Sequence, residues 1–371
     1  MKIGIYGGSF DPVHNDHLSI CLKFKNELVL DKVIVLPAYQ SPFKSGHITA
    51  GEHRKNMLEL AFKDYPFVDV SDFELKSERT SYTYLTVEYL KTLYPNDELY
   101  LLIGYDSLKG FLNWKRVDYL LKNVTLVVAD RGGCDFEKEL KIFKENCGYT
   151  FIPIQNRGTA SSTYVREQLK LGIYSQEFLP ASVCDYIKDN ALYRADEVYL
   201  KVQKRLKPSR LFHTAGVVAT AVSYAKKIGE SVDNARIAAL LHDIAKYEKA
   251  QNYPECEIPL GAPESVKHQY LGACVAKNEF AIDDEDVLNA IRYHTTGRPE
   301  MSNLEKIVFT ADLLEPSRDY EEVDYLRAEV EKDFEQGFRL CVKRLIEYLK
   351  RSASDIFYLT TLTNEYYNTK K

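Results

Sequence analysis

Two histidines follow a glycine-rich turn close to the start of the chain. Gly7 and Gly8 end a short apolar run, and His14 and His17 stand three residues apart where helical periodicity begins. A strand, a glycine turn and a helix N-terminus together form an anion site, because unpaired backbone N–H groups and the helix dipole converge there. Both imidazoles lie on one face of the first helical turn, so we expect them to contact the same anion.

The second half of the chain carries six side chains that could bind metal ions. They are His213, His242, Asp243, His268, His294 and Asp312. Imidazole and carboxylate ligands from several helices suit a divalent transition metal such as iron or manganese, and six ligands indicate two metals. A single histidine on an apolar helix face is more often an ordinary core residue, so this prediction depends on the complete set.

Length and composition indicate an ordinary globular protein of two domains. The chain has 371 residues, of which 45% are hydrophobic and 28% charged, which excludes a disordered or fibrous protein. A net charge of −5 argues against broad binding of nucleic-acid polymers or membranes. No segment approaches the roughly 20 apolar residues of a membrane span. We therefore expect small nucleotides as partners, and the sequence leaves the oligomeric state open.

The cysteines predict the compartment. Seven occur, an odd number without any C-x-x-C pair, and this fits neither a disulfide framework nor a thiolate zinc site. We therefore expect unpaired thiols in a reducing cytoplasm.

Two hydrophobic patterns divide the chain. Six strand-like runs alternate with helical stretches in the first half: KIGIYG, KVIVLPA, FVDVSDFEL, LYLLIG, TLVVAD and FIPI. This alternation predicts a Rossmann-like α/β domain, a parallel sheet wrapped by helices, over residues 1–194. Residues 195–371 read as an all-α helical bundle.

Several helix ends in the bundle are readable. Ser302 and Glu305 form a capping-box pattern, and Pro316 stops the same helix. Another helix is expected from Asp233 as N-cap through ARIAALLHDIAKY, after one that ends at Gly229. All four histidines of this half are then expected on helices.

The glycine turn belongs to a longer motif. GGSFDPVHNDH, residues 7–17, resembles the GxFDPxHxGH signature of the nucleotidylyltransferase superfamily, with Asp16 where the family usually has glycine. Fragments similar to other family motifs follow in order: SPFK at 41–44, GYD at 104–106 and SSTYVR at 161–166. The resemblance implies adenylyl transfer, with His14, His17, Lys44 and Arg166 as catalytic groups. It also implies that the nucleotides are bound by Gly8, Ser9, Phe10, Thr83, Gly104, Asp106, Trp114, Arg131, Ser161, Ser162 and Thr163.

The acceptor follows from a second resemblance. TSYT at 80–83 and Trp114 resemble the pyridine-binding residues of nicotinate-nucleotide adenylyltransferases. The implied role of Trp114 is physically reasonable, because a flat indole suits stacking on a pyridinium ring. The expected reaction joins AMP from ATP to nicotinate mononucleotide, giving deamido-NAD, and Mg²⁺ is expected to enter with ATP. Nicotinamide mononucleotide and phosphopantetheine stay open as alternative acceptors.

The metal-binding set is similar to the H…HD…D core of the HD phosphohydrolase superfamily. LLHDIAKY at 240–247 and ADLLEPSR at 311–318 most resemble the bacterial HD-domain symmetrical diadenosine tetraphosphatases. The resemblance implies hydrolysis of diadenosine tetraphosphate to two ADP at a dinuclear centre of iron, or alternatively manganese, bridged by Asp243. Lys246, Arg298 and Arg318 would hold the phosphates. A domain that hydrolyses or only senses another nucleotide is the competing interpretation.

Overall fold

The chain folds into two compact units. The computed structural model describes residues 1–40, 48–130, 135–156, 158, 160–352 and 355–369. The first unit comprises Met1–Val165 and Tyr174–Leu192, and the second comprises Arg166–Ile173 and Tyr193–Lys371. The predicted domain boundary after residue 194 stays a prediction.

A parallel six-stranded sheet forms the centre of the first unit. Its strands are β1 Lys2–Gly8, β2 Lys32–Pro37, β3 Val68–Val70, β4 Glu98–Gly104, β5 Thr125–Asp130 and β6 Ile152–Gln155, in the order β3-β2-β1-β4-β5-β6. The predicted α/β class is confirmed. The run FVDVSDFEL is shorter as a strand than expected, because Phe73–Lys76 forms a helical turn.

Helices flank this sheet. They are α1 Asn15–Glu27, α2 Gly51–Phe62, α3 Phe73–Lys76, α4 Thr83–Leu93, α5 Tyr105–Phe111, α6 Val117–Asn123, α7 Phe136–Cys147, α8 Ser162–Lys170 and α9 Ala181–Asp189. From Arg166 onward, α8 belongs to the second unit. The strand order reverses between β1 and β4, and open α/β sheets bind ligands beside the carboxyl ends of the strands at such a switch point.

The second unit is helical, as predicted. Its further helices are α10 Glu197–Arg205, α11 Pro208–Ile228, α12 Val232–Leu241, α13 Glu264–Phe280, α14 Glu285–Arg292, α15 Asn303–Leu314, α16 Val323–Lys332, α17 Phe334–Arg351 and α18 Tyr358–Asn364. Among the described residues, none of the helices combines the length and apolar character needed to span a bilayer.

Some predicted helix ends are confirmed and others are wrong. Ser302 and Glu305 form the predicted capping box of α15, and α11 ends at Gly229 with a positive φ of 75°. Helix α12, however, is capped by Ser231 rather than Asp233. It ends at Leu241, and the HDIAKY segment forms turns.

Two of the four histidines that were expected on helices lie beyond a helix end. His242 directly follows α12, and His294 comes two residues after α14. In both histidines, Nδ1 forms a hydrogen bond with the carbonyl oxygen three residues earlier. That oxygen belongs to Ala239 for His242 and to Ile291 for His294. The last carbonyls of a helix lack intrahelical partners, so a histidine at this position can use them.

The expectation that all cysteines stay unpaired is wrong for two of them. Cys256 and Cys274 form a disulfide with an S–S distance of 2.00 Å. Cys274 lies on α13, and Cys256 lies in the segment that precedes this helix. Their separation of 18 residues gave no sign of this pairing.

Candidate functional sites

The two histidines of the N-terminal motif are stacked at the start of α1. His14 is the N-cap and is fully buried, and the centroids of its ring and the His17 ring are 3.7 Å apart. The backbone N–H of His14 donates to Nδ1 of His17 at 3.2 Å. A ring nitrogen that accepts a hydrogen bond carries no proton, so Nε2 is the donor of a neutral His17 ring.

The N-terminus of α8 is fastened to the same place. Oδ2 of Asp16 accepts the backbone N–H of Ala160 at 2.8 Å, and the Ser162 hydroxyl donates to the carbonyl of Pro12 at 3.1 Å. Two helix N-termini, each favourable for an anion, therefore lie side by side. Asp16, the departure from the family motif, is one of the residues that holds them together.

The glycine turn is closed by an aromatic side chain. Phe10 is 2% exposed, and its ring packs edge-on against Tyr6 and His17, with centroids 5.2 and 5.0 Å away. A Cβ on Gly8 would lie 3.0 Å from the Phe10 ring, so the close approach favours glycine there. The ring of Phe10 thus supports His17 from the core.

Arg54 holds the other side of this turn, and the sequence did not predict it as a site residue. It is 1% exposed and donates to the carbonyls of Ser9 at 2.8 Å and Thr49 at 2.7 Å. A buried arginine that bonds loop carbonyls fixes the loop, and the arginine's position inside α2 gave only a weak sign of it.

The segment predicted to bind the pyridine lies beside the end of β2. The Ser81 hydroxyl accepts the N–H of Tyr39, and the N–H of Ser81 donates to the carbonyl of Gln40, both at 2.9 Å. Thr83 then begins α4. Trp114 is half-buried and packs against Phe111, with ring centroids 5.0 Å apart.

Several of the predicted nucleotide-binding residues lie at or after the carboxyl ends of strands. Gly8 ends β1, Gly104 ends β4, Asp106 lies in the first turn of α5, and Ser161 follows β6. The carboxyl ends of parallel strands share an edge, so Gly8 and Gly104 lie at the same edge of the sheet. Arg166 lies one turn into α8. Lys44 and Arg131 lie outside the described residues.

In the second unit, Asp243 stands between two groups of histidines. Its Oδ2 is 3.3 Å from Nε2 of His242 and 4.0 Å from that of His213. Its Oδ1 is 3.2 Å from Nε2 of His268 and 3.7 Å from that of His294. The two oxygens of one carboxylate therefore face different sets of ligands.

We call His213, His242 and Asp312 the first ligand group, and His268 with His294 the second. In the first group, Nε2 of His213 is 3.0 Å from Oδ1 of Asp312 and 3.3 Å from Nε2 of His242. In the second group, the two Nε2 atoms are 3.2 Å apart. All six residues predicted as metal ligands are thus brought together.

The imidazole protons fit a bound cation. Backbone carbonyls only accept, so the Nδ1 atoms that lie 2.6 and 2.8 Å from the carbonyls of Ala239 and Ile291 must carry the hydrogens. The Nε2 lone pairs of His242 and His294 then point into the centre. Nitrogen lone pairs that converge at such short distances are satisfied by a cation, so the donor set fits divalent metal ions.

Electrostatics favours the metal-binding forms of four of these groups. Burial alone would raise the pKa of Asp243, but His242 and the other surrounding imidazoles hold it well below its ordinary value. The pKa of Asp312 is likewise held low against burial, by His213 in particular. Burial lowers the pKa of His242, and it lowers that of His268 to about 4. Ionised carboxylates and neutral imidazoles are the forms that bind metals.

Cationic side chains surround the ligands. Lys246 Nζ is 3.3 Å from Oδ1 of Asp243, and Arg318 Nη2 is 2.7 Å from Oδ1 of Asp312. Arg210 contacts Oδ2 of Asp243 at 2.8 Å, although the sequence did not predict it. Its position three residues before His213, on the same helix face, was the signal that could have found it.

The third predicted phosphate-binding residue has a different partner. Arg298 makes two hydrogen bonds to the buried carboxylate of Glu305, at 2.7 and 2.9 Å. Its role toward a phosphate stays a prediction.

Comparison with family models gives one match in each half. A Cytidylyltransferase-like model matches residues 5–168, and an HD domain model matches residues 210–317. The HD match implies divalent metal binding, in agreement with the ligand groups described above.

Relatives include proteins with both halves and proteins with one. A Mycoplasma genitalium protein named "Probable nicotinate-nucleotide adenylyltransferase/Ap4A hydrolase" is 30% identical over 363 residues, covering 94% of this chain and 99% of the relative. A Mycoplasma pneumoniae protein of the same name is 28% identical, covering 86% and 90%. A "Probable nicotinate-nucleotide adenylyltransferase" of Carboxydothermus hydrogenoformans is 36% identical, covering 52% of this chain and 98% of the relative.

Proposed function

The chain belongs to the family of nicotinate-nucleotide adenylyltransferase/Ap4A hydrolases, and on that premise we propose that it performs both reactions at separate sites. The first site transfers AMP from ATP to nicotinate mononucleotide. The second site hydrolyses diadenosine tetraphosphate to two ADP. Both substrates are small nucleotides, which agrees with the acidic net charge of the chain.

The adenylyltransferase proposal is carried by the paired N-termini of α1 and α8. A phosphate oxygen of the mononucleotide attacks the α-phosphorus of ATP, and the bond to pyrophosphate breaks in line. The Nε2–H of His17 donates to the phosphates as negative charge builds, and the buried His14 supports it. Catalysis of this kind is positioning and charge stabilisation, and it requires no protein nucleophile.

The triphosphate is held by the start of α8. The Ser161 hydroxyl accepts the N–H of Tyr164 at 3.1 Å and keeps its own proton for a phosphate oxygen. Since the Ser162 hydroxyl donates to Pro12, Ser162 contributes its backbone N–H instead. Lys44, Arg131 and Arg166 complete the proposed set of phosphate-binding residues, and Mg²⁺ accompanies ATP.

The hydrolase proposal is carried by Asp243, whose two oxygens face different ligand groups. The first ligand group would hold one divalent metal and the second ligand group another, and Asp243 offers an oxygen to each group. Such metals polarise phosphoryl oxygens and lower the pKa of water for attack on phosphorus. We propose iron as the resident metal, with manganese as the alternative, because imidazole and carboxylate ligands suit both.

The chain's own residues bind the rest of the tetraphosphate. Lys246 and Arg318 lie beside the ligand carboxylates, so both can neutralise phosphate oxygens close to the metal positions. Arg210 joins them from α11. Arg298 would take part if its guanidinium exchanged Glu305 for a phosphate.

Two incubations of the purified protein test the proposal, with the metal content measured beforehand. ATP with nicotinate mononucleotide should give deamido-NAD and pyrophosphate, and diadenosine tetraphosphate should give ADP alone. Nicotinamide mononucleotide and phosphopantetheine serve as competing acceptors. Equal turnover of either competitor would reject the assigned acceptor, and metal-loaded protein without ADP production would reject the hydrolase.

Location and domain organisation complete the proposal. We propose a cytoplasmic enzyme because the first reaction consumes ATP and because Cys21, Cys147, Cys184 and Cys341 are free thiols, whereas the Cys256–Cys274 disulfide does not support this location. The catalytic domains are proposed to divide after residue 194, between the two family matches.

A further inference from the structure

Glu315 lies behind His213, one of the residues of the first ligand group. It follows the last residue of α15 and is completely buried. Its Oε1 is 3.0 Å from Nδ1 of His213. The backbone N–H and the hydroxyl of Ser317 donate to the same carboxylate, at 2.7 and 2.5 Å. A buried carboxylate with this many donors is ionised and held in one orientation.

A glycine makes room for this carboxylate. Gly216 lies on α11, three residues after His213 and on the same face of the helix. A Cβ at Gly216 would be 2.4 Å from Oε2 of Glu315, which is closer than two such atoms can approach. The contact between Glu315 and His213 therefore depends on the absence of a side chain at this position.

The orientation of His213 follows from the same contact. An ionised carboxylate only accepts, so the hydrogen of a neutral His213 ring lies on Nδ1 and its Nε2 lone pair faces Asp312 and His242. His242 and His294 donate their Nδ1 hydrogens to neutral backbone carbonyls instead. A charged acceptor increases the basicity of the opposite ring nitrogen more than a neutral one does.

The surrounding charges favour the same side of the centre. The first ligand group contains the carboxylate of Asp312, with Glu315 behind it. The second group contains two imidazoles, and Lys246 Nζ lies 3.0 Å from His268 Nε2. Arg318 beside Asp312 and Arg210 beside Oδ2 of Asp243 add two positive charges to the first group, but the two carboxylates of Asp312 and Glu315 offset them. The second group has only the Lys246 ammonium nearby, so a divalent cation is attracted more strongly to the first group.

We propose that Glu315 is a positioning residue that makes the first ligand group the tighter of two unequal metal positions, with Gly216 giving it access to His213. The inference rests on the proposed metal centre. Within that centre, Glu315 is the residue that makes the metal affinities of the two positions differ. The first position would stay filled when the second exchanges its metal.

The test is titration of metal-free full-length protein with Mn²⁺, following unbound Mn²⁺ by electron paramagnetic resonance. Wild-type protein should bind two ions with different dissociation constants. Glu315→Gln keeps the size and the acceptor oxygen but removes the charge, and it should weaken the tighter position about 10- to 100-fold. The weaker position should keep its wild-type affinity.

Two further variants make the result specific. Gly216→Ala displaces the carboxylate without removing it and should reproduce the effect of Glu315→Gln. Glu167→Gln is the matched control, because Glu167 is also a buried glutamate that is bonded to Arg236 and Tyr199 rather than to a predicted metal ligand. It should bind both ions as wild type does. Circular dichroism and adenylyl transfer by the same chain verify folding.

The outcomes separate this inference from the proposed function. Equal affinities in the wild type, an unchanged tight position in folded Glu315→Gln, or equal loss at both positions would overturn it. Unequal positions that respond to Glu315→Gln, in a protein that does not cleave diadenosine tetraphosphate, would uphold it and reject the proposed hydrolysis. If the protein cleaves diadenosine tetraphosphate and its Glu315→Gln variant binds Mn²⁺ as wild type does, the proposed hydrolysis is upheld and this inference is overturned.

Discussion

Replacing Asp16 by alanine should weaken ATP use without affecting the second site. The substitution removes the 2.8 Å hydrogen bond from the backbone N–H of Ala160 to a carboxylate, one of the contacts that join the N-termini of α1 and α8. Hydrogen bonds to charged groups contribute about 1.5–3 kcal/mol. Asp16 is partly exposed, so water screens its charge and the lower value applies. At about 1.4 kcal/mol per factor of ten, kcat/KM for ATP should fall about tenfold.

The assay is deamido-NAD formation at varied ATP concentration and saturating nicotinate mononucleotide. Most of the effect should appear in KM, because the lost contact positions phosphate-binding groups rather than reacting atoms. Hydrolysis of diadenosine tetraphosphate by the same preparation should keep its wild-type rate and thereby report the integrity of the chain.

Asp31→Ala is the matched control. Asp31 also accepts a backbone N–H, that of Lys2 at 2.7 Å, but at the amino end of β1, away from the proposed site. It should leave KM for ATP unchanged. A wild-type KM in Asp16→Ala, or an equal rise in both variants, would refute the argument that Asp16 positions the phosphate site.

Three further predictions test other features. His17→Ala should lower adenylyl transfer about 10²- to 10³-fold and spare hydrolysis, since one donor to the developing charge is lost; parallel loss of both activities would contradict separate sites. Asp243→Asn, or removal of metal by a chelator, should abolish ADP production and reduce bound metal while adenylyl transfer with added Mg²⁺ continues; a hydrolase that survives either treatment would show that the centre is wrongly assigned. Cys256→Ser or a reductant should lower the free energy of unfolding by about 2–4 kcal/mol, measured by thermal unfolding; identical transitions with and without reductant would argue against the pairing with Cys274.

Local sequence patterns gave much of the fold. The alternation of apolar runs predicted the parallel sheet, because strand and helix periodicity depend on near neighbours. The Ser302–Glu305 capping box was readable for the same reason, since both partners lie within one helical turn. The sequence predicted helices that include His242 and His294, but both helices end before these residues. The turns there are stabilised by hydrogen bonds of the histidine side chains themselves.

The candidate sites divide in a similar way. The sequence supplied the residue types, including all six predicted metal ligands, because histidine and aspartate in family-like order are visible without a structure. It did not supply Arg54, Arg210 or Glu315. An arginine or glutamate within an ordinary helical sequence looks like a solvated surface residue until its burial is known.

The sequence by itself determined which elements form and which chemical groups the two halves carry. Tertiary structure decided which atoms meet: which oxygen of Asp243 faces each ligand group, that Arg298 pairs with Glu305, and that Asp16 joins α1 to α8. Glu315 lies 102 positions from His213 in sequence, and no local pattern reports a contact of that length. Such contacts depend on how helices and strands pack, because packing brings distant side chains to hydrogen-bonding distance and excludes the water that would otherwise solvate them.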